Sequence, residues 1–249
     1  MPPIITLLTD FGTRDNYVGE VKAVLASHAH PALLIDITHD VPPGDIRAAQ
    51  YILSRVWHRF PQGSVHLVVV DPGVGTERRA LAAEAAGQFF VAPDNGLLSP
   101  LPADARFVAL PVPQGAAPTF HARDLFAPAA GQLANGTALT HLGHVITDPL
   151  RSPLPAARWD GGGAVWIGEV IYVDRFGTLV TNIAGADVEP GVRLKVGGTD
   201  VGTLHRTFGD VQRGQLVAFL GSGGAVEIAV RDGSAARMLG VGVGAEVRA

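Results

Sequence analysis

The chain has no cysteine among its 249 residues, which removes disulfide frameworks, thiol nucleophiles and thiolate metal sites in one step. Lysine is nearly missing as well. Lys22 and Lys195 are the only two, and the arginines are scattered rather than gathered in a stripe. With a formal net charge of −4, the chain lacks the electrostatic footprint of a nucleic-acid binder. No apolar run approaches the roughly 18 residues of a membrane span, and the opening residues carry no basic segment ahead of an apolar stretch. A cytoplasmic protein without membrane or nucleic-acid partners is expected. Phosphate signatures are lacking too. There is no Walker-type Gly-Lys-Ser/Thr, and Gly73-Val74-Gly75-Thr76-Glu77-Arg78 begins like a dinucleotide fingerprint but puts Arg78 where the third glycine belongs.

What is present is a core. Hydrophobic residues make up 47% of the chain and charged residues only 17%, the balance of a globular protein. In the first half, short apolar runs alternate with helical spacing. Strands are expected at 4–8, 33–37, 65–70, 80–85, 89–92 and 107–110. Helices are expected at 16–29, at 46–60 with Ile46, Ala49, Leu53, Val56 and Phe60 on one face, and at 124–135, closed by Gly136. Strand–helix–strand order implies an α/β unit with a mostly parallel sheet. Prolines and glycines between 148 and 163 read as a linker. Beyond it, β-rich runs at 164–173, 179–183, 194–196, 216–220, 226–230 and 245–247 sit between glycine-bearing turns, so a small, mostly antiparallel β domain is expected. The expected domains are 1–155 and 164–249.

Ligands of an open parallel sheet bind outside the carboxyl ends of its strands. Here those ends read Thr9-Asp10-Phe11-Gly12, Thr38-His39-Asp40, Asp71-Pro72-Gly73-Val74-Gly75 and Pro93-Asp94-Asn95-Gly96. Each carries an acid, a rim better suited to a neutral or cationic nucleoside than to a phosphate. Singly, each is equally readable as a turn with a side-chain-to-backbone bond. A two-metal phosphoesterase built on His39, Asp71, Asn95, His121 and Asp124 is a second reading, although no compact ligand pair supports it. His28, His30, His58 and His66 read as solvated or core histidines. Phe120-His121-Ala122-Arg123-Asp124, just before a helix, is readable as an N-terminal cap made by Asp124, but with Asp71 and Arg78 on the same edge the functional reading of this segment is the stronger one.

In order, "TDFG", "VDPGVGTERR", "PDNG", "FHARD", "DRFG" and "EIAV" resemble the S-adenosyl-L-methionine (SAM) hydroxide adenosyltransferase family, the SAM hydrolases related to the SAM-dependent fluorinase and chlorinase. The resemblance covers nearly the whole chain. It implies a Rossmann-like first domain, a β-barrel-like second domain, and a homotrimer with SAM pockets at subunit interfaces. The implied reaction is attack of water or hydroxide on ribose C5′, giving adenosine and L-methionine, with SAM as substrate and neither cofactor nor metal. The family's nucleophile-holding set falls on Asp71, Arg78 and His121. Halogenases lack that set and carry an extra loop for which this chain has no room.

The same resemblance assigns Asp10 to the ribose hydroxyls, Asp174 to the methionine ammonium, Ser222 to its carboxylate, and Glu227 with the Val230 backbone to the adenine edge. Phe176 either packs against the purine or belongs to the β-domain core. Two positions depart from the pattern: Thr178 stands where the family has Asn, and Ala122 where it has Gly. A binder of SAM or adenosine without turnover remains an alternative, opposed by the intact Asp71, Arg78, His121 set.

Overall fold

The structure, a computed structural model, describes residues 2–29 and 31–249; His30 lies outside the described residues. The chain divides into two compact units, Met1–Pro153 and Leu154–Ala249.

The first unit runs β1 (Ile4–Thr9), α1 (Tyr17–His28), β2 (Leu33–Thr38), α2 (Ile46–Val56), β3 (Val65–Val69), β4 (Ala80–Ala85), β5 (Gln88–Pro93), β6 (Arg106–Leu110), α3 (Ala127–Ala134) and β7 (His144–Ile146). These strands form one seven-stranded sheet in the order β2-β1-β3-β5-β4-β6-β7. From β2 through β5 the pairings are parallel; from β5 through β7 they are antiparallel. The sheet is therefore mixed, which corrects the mostly parallel expectation. The reason is local. Ala86 and Gly87 both take left-handed φ, 49° and 74°, the two-residue turn that matches strand twist in a hairpin, and two residues cannot make a parallel crossover.

β3 is buried along its whole length, as befits a strand covered on both faces. On one face, α1 brings Val21 and Leu25, and the turn leading into α3 brings Phe126, onto Ile5, Leu7 and Leu67. Asp45 caps α2, accepting from the Ala48 amide at 2.9 Å, and the helix gives way at Trp57–Arg59 to a single 3-10 turn, before Phe60. Because β1, β2, β3 and β5 are mutually parallel, Asp10, His39, Asp71 and Asp94 leave the sheet at one edge.

The second unit comprises β8 (Arg158–Asp160), β9 (Val165–Val173), β10 (Leu179–Ala184), β11 (Arg193–Val196), β12 (Thr199–His205), β13 (Leu216–Leu220), β14 (Ala225–Val230), α4 (Ala235–Leu239) and β15 (Glu246–Arg248). Its strand order is β10-β14-β13-β12-β11-β15-β9-β8, with β10 also pairing β9. That pairing closes a seven-stranded barrel and leaves no open edge among its members; β8 is appended at β9. Val170, Leu179, Ile183, Leu194, Ile228 and Val247 fill its core. β12 and β13 run parallel, while the other pairings are antiparallel. β8 falls inside the stretch read as a linker. Among the described residues, no helix is long and apolar enough to cross a membrane.

His66 shows how a polar ring is tolerated in the first core. It is fully buried, with Thr6 Oγ1 2.8 Å from Nδ1, Gln88 Oε1 2.7 Å from Nε2, and the ring stacked on Phe90. Gln88 Nε2 donates to the Phe60 carbonyl, so its Oε1 must accept, and His66 is the neutral Nε2–H tautomer. Burial pushes its pKa down to about 4. The unfolded chain therefore binds the proton more readily, so this group's contribution is complete above its ordinary pKa of about 6.5 and is lost as pH falls toward 4, roughly 3 kcal/mol in all. Denaturant titrations should show the stability gap between wild type and His66→Gln shrinking by that amount between pH 7 and pH 4; a constant gap would refute the assignment.

Candidate functional site

β3 ends at an acceptor that the sheet no longer satisfies, the Val70 carbonyl, and Asn95 Nδ2 donates to it at 2.8 Å. The next residue, Asp71, opens a tight turn in which the Val74 amide returns to the Asp71 carbonyl and the Thr76 amide to that of Gly73. Gly75 is required twice over: its φ is +79°, and a Cβ there would lie 2.6 Å from the Pro118 carbonyl oxygen. This close approach lays the turn against the segment that carries His121.

Across the turn, Arg78 Nε donates to Asp71 Oδ1 at 3.0 Å, and Nη2 donates to Oδ2 and to His121 Nδ1, the latter at 2.9 Å. The Asp71 and Arg78 side chains are only 6% and 9% exposed, and the guanidinium lies over the Phe126 ring. Arg78 Nη1 is buried without a hydrogen-bond partner. Breaking a buried ion pair from one side is expensive, about 3–5 kcal/mol, so the three groups hold one another in place. Burial first, and then the Arg78 charge, push the His121 pKa down, with Asp71 and Asp124 opposing. His121 is thus neutral near pH 7. Since an arginine can only donate, Nδ1 is the acceptor and the ring proton sits on Nε2.

A cavity of about 310 Å³ opens on this set, lined by Asp10, Phe11, Asp71, Val74, Phe120 and His121 among others. Asp10 enters it with Oδ2 held by the Gly44 amide at 2.8 Å. Phe11, Tyr17 and Phe120 meet edge-on nearby. Sequence reasoning did not single out Phe11 or Phe120, although both sit inside the quoted motifs beside Asp10 and His121. A larger cavity, about 640 Å³, runs along β6 and β7. Its two cations are engaged, Arg106 with Glu84 and Arg151 with backbone carbonyls, and it holds no convergent acid and base.

Other expected rim residues turn elsewhere. Asp94 takes Arg79 Nε at 2.7 Å and the Leu150 amide, while Arg79 also grips Asp148. Arg79 thus braces the fold while Arg78 faces the site. His39 is bonded to Thr9, and Asp124 to the Ala117 amide and Arg123. The five candidate metal ligands therefore do not converge, and no group of three or more His, Asp or Glu among the described residues is placed to hold a metal ion. Nor does Asp124 cap a helix. A π turn, Ala122–Phe126, precedes α3 without a break, so Asp124 lies inside the helical run and its carboxylate reaches back to the preceding segment. Ala122, the departure from Gly, is buried at the start of this turn.

In the second unit, Asp174 closes the β9–β10 turn, its Oδ1 accepting from the Phe176 and Thr178 amides at 2.9 and 2.8 Å. Thr178 is buried. Phe176 is 77% exposed, which overturns its reading as a core aromatic. Glu227 and Val230 lie on β14, where Val180 pairs with Glu227, so the β9–β10 turn adjoins the Val230 end. Ser222 sits in the β13–β14 turn, at the other end of that six-residue strand.

Comparison with known proteins gives a consistent picture. Residues 5–143 match the SAM hydroxide adenosyltransferase N-terminal domain and residues 168–248 its C-terminal domain. A Thermus thermophilus protein named (R)-S-adenosyl-L-methionine hydrolase is 42% identical, with 98% of each chain covered. A fluorinase from an Actinoplanes species is 28% identical over 75% of this chain and 74% of its own. Among solved structures, an uncharacterized conserved protein from Thermotoga maritima superposes with a TM-score of 0.89 at 35% identity, covering 98% of both chains.

The Gly75 contact can be tested without any assay of activity. Gly75→Ala should strain the turn by about 1–2 kcal/mol and push the Pro118 segment away, loosening the Arg78–His121 bond. An NMR titration of His121 should then show its pKa moving up toward the ordinary value. An unchanged titration would mean that the two segments are not coupled through Gly75.

Proposed function

This chain belongs to the SAM hydroxide adenosyltransferase family, and from that premise we propose that it hydrolyses SAM to adenosine and L-methionine, with Asp71, Arg78 and His121 holding the attacking oxygen. The observation that carries this reading is the buried Asp71–Arg78–His121 set at the wall of a cavity that also receives Asp10. In the reaction a C5′–O bond forms as the C5′–S bond breaks, and its electron pair neutralises the sulfonium. An anionic oxygen meeting a cationic carbon–sulfur centre gives a transition state less polar than the separated charges, so a water-poor pocket favours it.

The tautomer assigns the proton. With Nδ1 occupied by Arg78, His121 offers Nε2–H to the nucleophile as a donor, and Asp71 is the remaining acceptor, so the water proton passes to its carboxylate and then to solvent. Arg78 stabilises negative charge on the oxygen without releasing a proton, and its unpartnered Nη1 is a further donor. Asp10, a carboxylate steadied by Gly44, is suited to accept from both ribose hydroxyls. We also read the parallel core β2-β1-β3-β5 as Rossmann-like, since it offers its carboxyl edge to the ligand.

The remaining contacts are assigned to the second unit: Asp174 to the methionine ammonium, Ser222 to its carboxylate, Glu227 and the Val230 backbone to adenine, and exposed Phe176 to the purine face. In this reading a neighbouring copy supplies them in a homotrimer with pockets at the subunit interfaces. Light scattering under assay conditions should give three times the chain mass; full activity from a monomer would rule the trimer out.

Chromatography of SAM incubated with the protein should show adenosine and methionine in equal amounts, and binding without products would reduce the chain to a sensor. Arg78→Ala should lower kcat by about 100- to 1000-fold while adenosine affinity is kept, and Arg79→Ala should lower stability more than turnover. Protonating His121 would set a second cation against Arg78 and break their bond. Its depressed pKa therefore implies a rate that holds as pH falls through 6.5 and drops only at lower pH. A half-maximal point at or above 6.5 would contradict a neutral, pKa-depressed His121.

A further inference from the structure

His39 is absent from the cavity lining, yet it is a buried imidazole, 5% exposed, with more engaged groups than a filler needs. Its Nδ1 lies 2.8 Å from Thr9 Oγ1, itself buried. That hydroxyl also accepts from the Phe11 amide at 3.3 Å, so it links the ring directly to the backbone of the turn. Nε2 lies 3.2 Å from Asp36 Oδ1, out of line for a hydrogen bond but close enough to be attracted, and Lys22 holds the other Asp36 oxygen at 2.6 Å. On the far side, the His39 carbonyl accepts from the Gly12 amide at 2.8 Å.

His39 thus grips both flanks of a short turn, Thr9 through its ring and Gly12 through its backbone. Between those grips lies Asp10, whose carboxylate stands in the cavity. A buried polar ring is unfavourable unless its polar atoms are used; here Nδ1 fixes the turn that aims Asp10, while Nε2 faces the Asp36 carboxylate.

We infer that His39 is a positioning residue that sets ribose recognition by holding the Thr9–Gly12 turn, and through it Asp10. The inference rests on the reading of Asp10 as the ribose contact. The test is calorimetry of the full chain with adenosine and with 2′,3′-dideoxyadenosine, which lacks the groups Asp10 would hold. Wild type should prefer adenosine. His39→Ala should weaken adenosine binding about tenfold and leave the dideoxy compound within about twofold. His39→Asn, which can present an oxygen near the Nδ1 position, should recover most of the loss. Thr9→Val keeps the shape and removes the hydroxyl link, so it should behave like His39→Ala, and it serves if that variant does not fold. In an Asp10→Ala background, His39→Ala should have no further effect. If Asp10→Ala leaves the preference for adenosine intact, the ribose reading fails and the inference goes with it. If Asp10→Ala abolishes the preference but His39→Ala and Thr9→Val do not reduce it, or weaken both nucleosides equally, His39 merely supports the fold and the inference alone is overturned.

Discussion

The guanidinium of Arg78 is the constraint on which the site depends. A cation this deeply buried needs a carboxylate, and Asp71 supplies two oxygens to it across the turn. The pair fixes the turn, the turn fixes Gly75, and Gly75 permits the contact with Pro118 that brings His121 into reach. Arg78 then decides the histidine's protonation: a donor on Nδ1 leaves the ring proton on Nε2, and the adjacent charge helps keep the ring neutral. Support, geometry and proton placement come from one interaction.

Behind that set lies a layer whose members never face the cavity. Asn95 satisfies the last carbonyl of the β3 segment, Arg79 ties Asp94 to Asp148, and His39 braces the segment around Asp10. Asn95 and His39 come from strand ends at the carboxyl edge, and Arg79, which enters β4 beside it, holds Asp94 of the β5 end. The edge is rich in acids because such ends leave backbone donors and acceptors unpaired, and only part of that richness faces a ligand.

Much of the fold was legible in the residues. The 3.6 and 2.0 periodicities located α1, α2 and most strands, and the change in composition after residue 148 marked the second unit. The hairpin at Ala86-Gly87 was legible too, had the gap between strands been weighed for length: it cannot hold a crossover, so the sheet had to turn antiparallel. The strands left unread were β7 and β8, three residues each, and β12, whose Thr199, Asp200 and Gly202 interrupt any apolar alternation. Such segments are strands because neighbours supply hydrogen bonds. Their own side chains do not specify it.

The site divides along the same line. By itself the sequence determined the chemistry available, namely an Asp and an Arg at the ends of a glycine turn, a His beside a helix, acids after successive strands, and no thiol, because these are properties of residue identity and short-range spacing. Only the tertiary structure decided which of them meet. Asp10, Asp71 and His121 come from segments far apart in the chain and reach one cavity, while Asp94 and Asp124, equally promising in sequence, are taken by Arg79 and by Arg123 with the Ala117 amide. Phe176, as apolar as any core residue, stands in the open. Which partner a charged group finds, which histidine nitrogen keeps its proton and which aromatic is buried depend on contacts between segments remote in sequence, and those exist only once the sheet has closed around its core.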